Sequence, residues 1–211
     1  TYSVTVNSFL ASGGDNFREL ANGTSRQDTG KADLQAQVDY LDANGTLEVA
    51  GSAALGTGRI AIDAGGTLRL DGGAALANRI ELGGAAIIGV DTGRQATIGG
   101  AIGNGSQAGS LAKVGGGTLT LAGANNYTGG TTIVAGTLRL GAGASLVGSI
   151  ANAGVLAFAP GSREAFGGVI TGSGALLQAG TGTTILTGNS SYGGGTTIAS
   201  GTLQVGAGGT S

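Results

Sequence analysis

Residues 115–140 read GGGTLTLAGANNYTGGTTIVAGTLRL, a stretch in which short runs of Thr, Leu, Ile and Val are separated by glycines. Alternation of apolar and polar residues over four or five positions is typical of a half-buried strand. Glycine allows the chain to turn with positive φ at no steric cost. The stretch therefore predicts short β-strands joined by tight turns.

Variants of one five-residue motif recur from residue 45 onward. They begin at 45 (GTLEV), 66 (GTLRL), 117 (GTLTL), 136 (GTLRL), 154 (GVLAF), 174 (GALLQ) and 201 (GTLQV). Several successive motifs are separated by a nearly constant interval, which matches the length of a solenoid unit. A short unit that cannot bury a core alone must stack on its neighbours, which predicts a solenoid.

A parallel β-helix fits this repeat better than a leucine-rich repeat, because the asparagine-centred consensus and helical segment of the latter are missing. We expect Leu, Ile and Val to point inward and stack in ladders, Thr to point outward, and glycines to turn the corners. Eight coils spaced ~4.8 Å apart would form a rod roughly 40 Å long.

A longer repeat overlies the short one. Residues 121–143 align without gaps onto residues 186–208, and 14 of the 23 aligned positions are identical. Both copies contain a tyrosine, Tyr127 or Tyr192, followed by GGTTI or its close variant and then GTL. The offset between the copies corresponds to about three short units.

Composition excludes several classes of function. Glycine accounts for 47 of 211 residues without a collagen period, and the hydrophobic fraction of 40% favours a packed fold over a disordered linker. The net charge is −2 and no basic cluster occurs, which argues against binding to a nucleic acid polymer. Segments such as GTGRIAIDAGG lack the GK[ST] sequence and the helix of a phosphate-binding loop.

The stretch GGGTLTLAGANNYTGGTTIVAGTLRLGAGASL resembles the autotransporter-associated β-strand repeat of Gram-negative passenger domains, and GNSSYGGGTTIASGTLQVGAGG resembles a second copy. This resemblance implies a right-handed parallel β-helix over residues 44–211. It also implies secretion or display at the cell surface, with an outer-membrane β-barrel translocator downstream as partner. Tyr127 and Tyr192 are interpreted as packing residues at coil edges, with sugar binding as the alternative.

The first 42 residues differ in character, since they carry nine charged residues whereas the remaining 169 carry 13. The segment YSVTVNSF predicts a strand, ASGGDNF a loop, and DTGKADLQAQVDYLDANG a helix with Leu34, Val38 and Leu41 on one face. The sequence therefore predicts a small α/β strand–loop–helix unit over residues 1–43, before a mainly β solenoid.

The segment VTVNSFLASGGDNF, followed by DTGKADLQAQVDYL, resembles the end of the C-terminal domain of bacterial 5′-nucleotidases. The resemblance implies that Phe9 stacks on the base and that Asp15 accepts hydrogen bonds from the ribose hydroxyls. Gly13 and Gly14 would let the backbone approach the ligand. Without the resemblance, Phe9 would be interpreted as a core residue and Asp15 as a turn residue.

The same resemblance places catalysis elsewhere. Phosphate-ester hydrolysis in that family requires a pair of divalent metal ions in a separate N-terminal domain, whereas this chain has no histidine. We expect no catalytic residue, metal site or cofactor in this chain.

We interpret the chain as a fragment of a surface-displayed or secreted autotransporter whose upstream part hydrolyses nucleoside 5′-monophosphates. The alternative is a non-enzymatic adhesin in which residues 1–43 only cap the solenoid.

Overall fold

The computed structural model describes residues 45–50, 55 and 58–206, and over these ranges the chain is all β. Its strands are parallel and stack in eight successive coils, each with up to three sides. This confirms the predicted β-solenoid. No helix able to cross a membrane occurs in the described ranges. The strand, loop and helix predicted for residues 1–43 lie outside the described residues.

Strands are numbered in chain order, and the three sides of the solenoid are called faces 1, 2 and 3. Face 1 is an eight-stranded parallel sheet, with one strand from every coil. Its strands are β1 (Thr46–Val49), β3 (Thr67–Leu70), β6 (Ala85–Val90), β9 (Ser110–Val114), β12 (Thr131–Ile133), β15 (Ile150–Asn152), β18 (Ile170–Gly172) and β21 (Ser191–Tyr192).

Face 2 is a seven-stranded parallel sheet that begins in the second coil. Its strands are β4 (Ala75–Leu76), β7 (Gln95–Ile98), β10 (Thr118–Leu121), β13 (Thr137–Leu140), β16 (Val155–Phe158), β19 (Ala175–Gln178) and β22 (Thr196–Ile198).

Face 3 is divided into three short sheets. The first contains β2 (Ile60–Ile62), β5 (Ile80–Leu82) and β8 (Ile102–Asn104). The second contains β11 (Ala124–Asn125) and β14 (Ser145–Leu146), and the third contains β17 (Arg163–Phe166), β20 (Thr183–Leu186) and β23 (Thr202–Val205).

The core consists of ladders of inward-pointing side chains, one rung per coil. On face 2 one ladder contains Ala96, Leu119, Leu138, Leu156 and Leu176, which are register partners in successive coils and are all buried. Because each rung covers the rungs above and below it, a coil buries its apolar side chains only against its neighbours. The predicted inward position of Leu, Ile and Val is confirmed.

The expectation that threonine points outward is wrong at two positions. Thr131 is 3% exposed and its hydroxyl lies 2.7 Å from the hydroxyl of Tyr127. Thr184 is also buried, and its hydroxyl donates to Gln178 Oε1 at 2.6 Å. A buried hydroxyl is tolerated at each position because it has a hydrogen-bond partner.

One sequence motif serves all three faces. The GTL motifs at residues 117 and 136 begin β10 and β13 on face 2, as neighbours in adjacent coils. Those at residues 45 and 66 instead begin β1 and β3 on face 1, and the one at residue 201 begins β23 on face 3. The motif therefore specifies a strand entered through a glycine turn and does not specify a side.

The two copies of the longer repeat likewise lie on different sides, because the offset between them is three coils plus one side. Leu121 lies on face 2, whereas its aligned partner Leu186 lies on face 3. The local structure is nevertheless reproduced, since Tyr192 contacts Thr196 Oγ1 through its hydroxyl at 2.7 Å, the same distance as in the first copy. The repeat is thus a unit of local structure that is not tied to one side of the solenoid.

Candidate functional site

The residues predicted to bind a nucleoside, Phe9, Gly13, Gly14 and Asp15, lie outside the described residues. Their role stays a prediction. Within the described ranges, no group of three or more His, Cys, Asp or Glu side chains is placed to hold a metal ion. The candidate site that the described residues do provide is a cleft on face 3.

The cleft lies between the fifth and sixth coils, where the chain segment that forms face 3 becomes longer. In the fifth coil nine residues, 141–149, connect β13 to β15, whereas in the sixth coil eleven residues, 159–169, connect β16 to β18. The face 3 strand also lengthens, from two residues in β14 to four in β17. The two connections differ in length, β14 and β17 are not hydrogen-bonded partners, and a cleft of about 700 Å³ lies beside them.

Backbone hydrogen bonds between the two coils close both ends of the cleft. At one end the Ala159 N–H donates to Leu140 O at 2.8 Å, and at the other the Ile150 N–H donates to Val169 O at 2.8 Å. Between them, the Gly143 N–H donates to the Glu164 carboxylate at 2.9 Å. One side chain therefore joins the coils where a strand ladder is interrupted.

The cleft is lined mainly by apolar side chains. Leu140, Leu146, Phe158 and Phe166 form its inner wall and are each less than 9% exposed. The two phenylalanine rings contact each other, with centroids 5.8 Å apart and planes tilted by 54°. Glu164 is the single charged residue of the lining, and it forms no ion pair with any described residue.

The other interruption of face 3, between β8 and β11, is bridged by a buried asparagine. Asn125 Oδ1 accepts the Ile102 N–H at 3.2 Å, and the Asn126 N–H donates to Ile102 O at 2.9 Å. The Asn125 amide also donates to Gly123 O and Ser145 O. Here a short side chain substitutes for the strand ladder, so an interruption of the sheet does not by itself create a cleft.

Lys113 is a second unexpected feature, because it occupies a rung of the apolar ladder on face 1. Its register partners are Ile88 and Ile133, and Lys113 is fully buried. The ammonium group donates to the carbonyl oxygens of Val114, Gly115 and Ala135 at 3.0, 2.7 and 3.1 Å. These carbonyls lie at the end of β9 and in the turns after β9 and β12, so the lysine stabilises two corners from inside.

Burial lowers the pKa of Lys113 to about 8, from its usual value of 10.5. A lysine whose pKa is lower in the folded state contributes stability above its unfolded pKa and loses it as pH falls through the folded value. Between about pH 7 and about pH 9.5 we therefore expect the free energy of unfolding to rise by about 1–2 kcal/mol. Burial also raises the pKa of Tyr127 above its usual value of 10.0. This shift lowers the free energy of unfolding only as pH rises past about 10, which is above the window considered for Lys113.

Urea unfolding followed by circular dichroism at several pH values in this window tests the expectation. Lys113→Met is the matched control, because methionine is also long and flexible but does not titrate. The wild-type chain should gain stability relative to Lys113→Met as pH rises. If the free energy of unfolding changed with pH in the same way for the two proteins, Lys113 would have the same pKa in the folded and the unfolded chain.

Two further polar side chains take ladder positions because, like Lys113, they form hydrogen bonds with backbone groups. Asn152 is the register partner of Ile133; it donates to Ala175 O at 2.9 Å and accepts the Gly154 N–H at 3.1 Å. Gln178 follows Phe158 on face 2 and donates to Gly180 O and Gly182 O. Within the described ranges, no buried side-chain nitrogen or oxygen lacks a hydrogen-bond partner.

Sequence reasoning did not find the cleft, although a signal exists. Residues 158–166 read FAPGSREAF and combine two of the four phenylalanines, the only proline and an Arg-Glu pair. This composition interrupts the glycine, threonine and leucine pattern on both sides of it. A break in a repeat indicates a change of cross-section, and loops inserted in a solenoid commonly lie on one binding face.

Comparison with protein families matches two segments of the solenoid. Residues 111–140 and residues 176–205 each match the passenger-associated-transport-repeat, and their offset is the one that aligns residue 121 with residue 186. These matches support an autotransporter passenger repeat, and they do not extend to residues 1–43. Comparison with curated proteins gave no match, and neither did comparison with solved structures.

Proposed function

We propose that this chain is part of an autotransporter passenger in which the solenoid acts as a rod-like stalk. The observation that supports this most strongly is the coincidence of the repeat with the fold. Both matched segments form complete, uninterrupted portions of the eight-coil stack, from β9 to β13 and from β19 to β23. A passenger of this kind is secreted through the outer membrane or displayed on the cell surface.

Protease accessibility on intact cells tests the display. The full-length parent, produced in a Gram-negative host with an epitope inserted in the exposed loop after Ser106, should bind antibody without permeabilisation. Added protease should remove the signal. An epitope that is reached only after the outer membrane is opened would contradict surface display.

We further propose that the upstream part of the parent hydrolyses nucleoside 5′-monophosphates, with residues 1–43 forming one wall of the nucleoside pocket. This proposal is supported by the resemblance of residues 1–43 to the 5′-nucleotidase C-terminal domain. Phe9 would stack on the base, Asp15 would bind the ribose hydroxyls, and Gly13–Gly14 would allow close approach. The metal pair would be held by the upstream domain.

Replacing Phe9 in the full-length parent tests the nucleoside pocket. Stacking of a base on an aromatic ring contributes about 1–3 kcal/mol, so Phe9→Ala should raise KM for AMP by about five- to 150-fold. Phe9→Tyr is the matched control, because it keeps the aromatic face and should change KM by less than about threefold. Equal KM values for the three proteins would remove Phe9 from the pocket.

The alternative function is a non-enzymatic adhesin, in which residues 1–43 cap the apolar end of the solenoid. Solenoids require such caps because their terminal coils have no further neighbour. The two proposals differ in one measurement. A parent that shows no release of phosphate from AMP, with or without added divalent metal ions, favours the adhesin.

A further inference from the structure

We propose that the cleft on face 3 is a binding site for a small organic cation, an ammonium compound with an aromatic or branched aliphatic body. This inference is independent of the nucleoside pocket proposed for residues 1–43. It rests on the size of the cleft, the chemistry of its wall and the position of one carboxylate.

The size and lining of the cleft fit a small molecule. Its volume of about 700 Å³ lies in the range of about 300–1,000 Å³ that is typical of ligand sites. Such sites are mostly apolar and contain few polar groups, and this one presents Leu146, Phe158 and Phe166 on its wall, with Ser145 and Ser149 beside them. An apolar body that entered the cleft would exchange water for contact with these side chains.

The charge of the lining selects a cation. Glu164 is half-buried, and one of its oxygens accepts the Gly143 N–H, while no described residue pairs with it as a cation. An ammonium group next to this carboxylate would form a charge-assisted hydrogen bond. Phe158 and Phe166 line the same cleft, where an aromatic face turned toward the ligand would attract its cationic group.

The position of the two coils at the cleft is fixed by their pairing on the other two faces. The coils meet on faces 1 and 2, where β12 pairs with β15 and β13 pairs with β16 along their lengths. On face 3 β14 and β17 are not hydrogen-bonded to each other, so the ladder is interrupted at the cleft. A ligand therefore enters a site that exists before binding, and it does not have to separate the strands.

Titration with three compounds that share a phenyl ring and a four-carbon chain tests the proposal. Phenylbutylamine is cationic, phenylbutanol neutral and phenylbutyrate anionic. Isothermal calorimetry on the full chain should show the amine binding about tenfold more tightly than the alcohol, and the carboxylate more weakly than both. Absent binding of the amine, or equal affinity for amine and alcohol, would overturn the proposal.

Two variants locate the binding. Glu164→Gln keeps an oxygen that accepts the Gly143 N–H, and it should reduce the ratio of amine to alcohol affinity to about one. Val147→Trp should fill the cleft and weaken binding of both compounds at least about tenfold. Val134→Trp is its matched control, because Val134 is similarly exposed (52% against 43%) but lies outside the cleft, and it should bind as the wild type does.

A measurement on the wild-type chain keeps the test valid if a variant fails to fold. Methyl resonances of Leu146, Val147 and Val169, which line the cleft, should shift on addition of phenylbutylamine. Those of Val134, outside the cleft, should remain in place. Shifts confined to residues outside the cleft would assign the binding to another site and contradict the proposal.

Discussion

Leu138→Ala is expected to lower the free energy of unfolding by about 2–5 kcal/mol, the cost of truncating a fully buried leucine in a packed core. Leu138 has no exposed surface and lies between its register partners Leu119 and Leu156. The cavity left by the substitution would remove contacts from both neighbouring rungs. Urea unfolding followed by circular dichroism measures the change.

Arg139→Ala is the matched control for this prediction. Arg139 is the next residue of the same strand, points outward and forms no ion pair with a described residue. Its replacement should change stability by less than about 0.5 kcal/mol. If both variants lost the same stability, the inward and outward sides of β13 would be assigned wrongly.

Gly136→Ala is expected to destabilise the chain by about 3 kcal/mol or more, because two costs combine. Gly136 has a φ of 69°, a conformation that strains any residue with a side chain. A Cβ at this position would also collide with the carbonyl oxygens of Gly115 and Gly117 in the preceding coil. The glycine is thus required both by the turn and by the close approach of two coils.

Gly73→Ala separates these two costs. Gly73 has a φ of 85°, but a Cβ there would meet no atom within 4 Å. It should therefore cost only the backbone strain, about 1–2 kcal/mol. The difference between the two variants measures the steric contact between coils, and equal losses would show that the coils are farther apart than described.

The predictable part of the fold is the part that repeats at constant spacing. The motifs that begin at positions 117, 136, 154 and 174 are almost evenly spaced, and they do lie in adjacent coils of face 2. At this spacing a motif returns to the same side after one coil. The apolar ladders follow directly, because leucine occupies the same position of each motif.

The assignment of motifs to sides could not be predicted, because coil length varies. On face 1 Leu68 pairs with Ile88, and Ile88 pairs in turn with Lys113, so the second of these coil steps contains more residues than the first. One longer coil shifts every later motif relative to a fixed period. The same motif could therefore occur on face 1 at residue 66 and on face 3 at residue 201.

The polar ladder residues and the cleft could not be predicted for a related reason. Lys113, Asn152 and Gln178 take ladder positions because backbone carbonyl groups accept their hydrogen bonds, and for Lys113 and Asn152 some of those carbonyls are distant in sequence. The cleft likewise lies between two coils, and its walls come from both of them. The ladder positions have no local pattern, and the cleft has only the break in the repeat at residues 158–166.

The central claim, that these coils stack into a rod, is tested most directly by one distance. The chain has no cysteine, so Thr97→Cys combined with Thr197→Cys allows two spin labels to be attached selectively. The two positions belong to one face 2 column, five coil steps apart. Double electron–electron resonance should give a narrow distribution near ~24 Å. A broad distribution centred near ~55 Å, as for a flexible chain of this length, would contradict the solenoid.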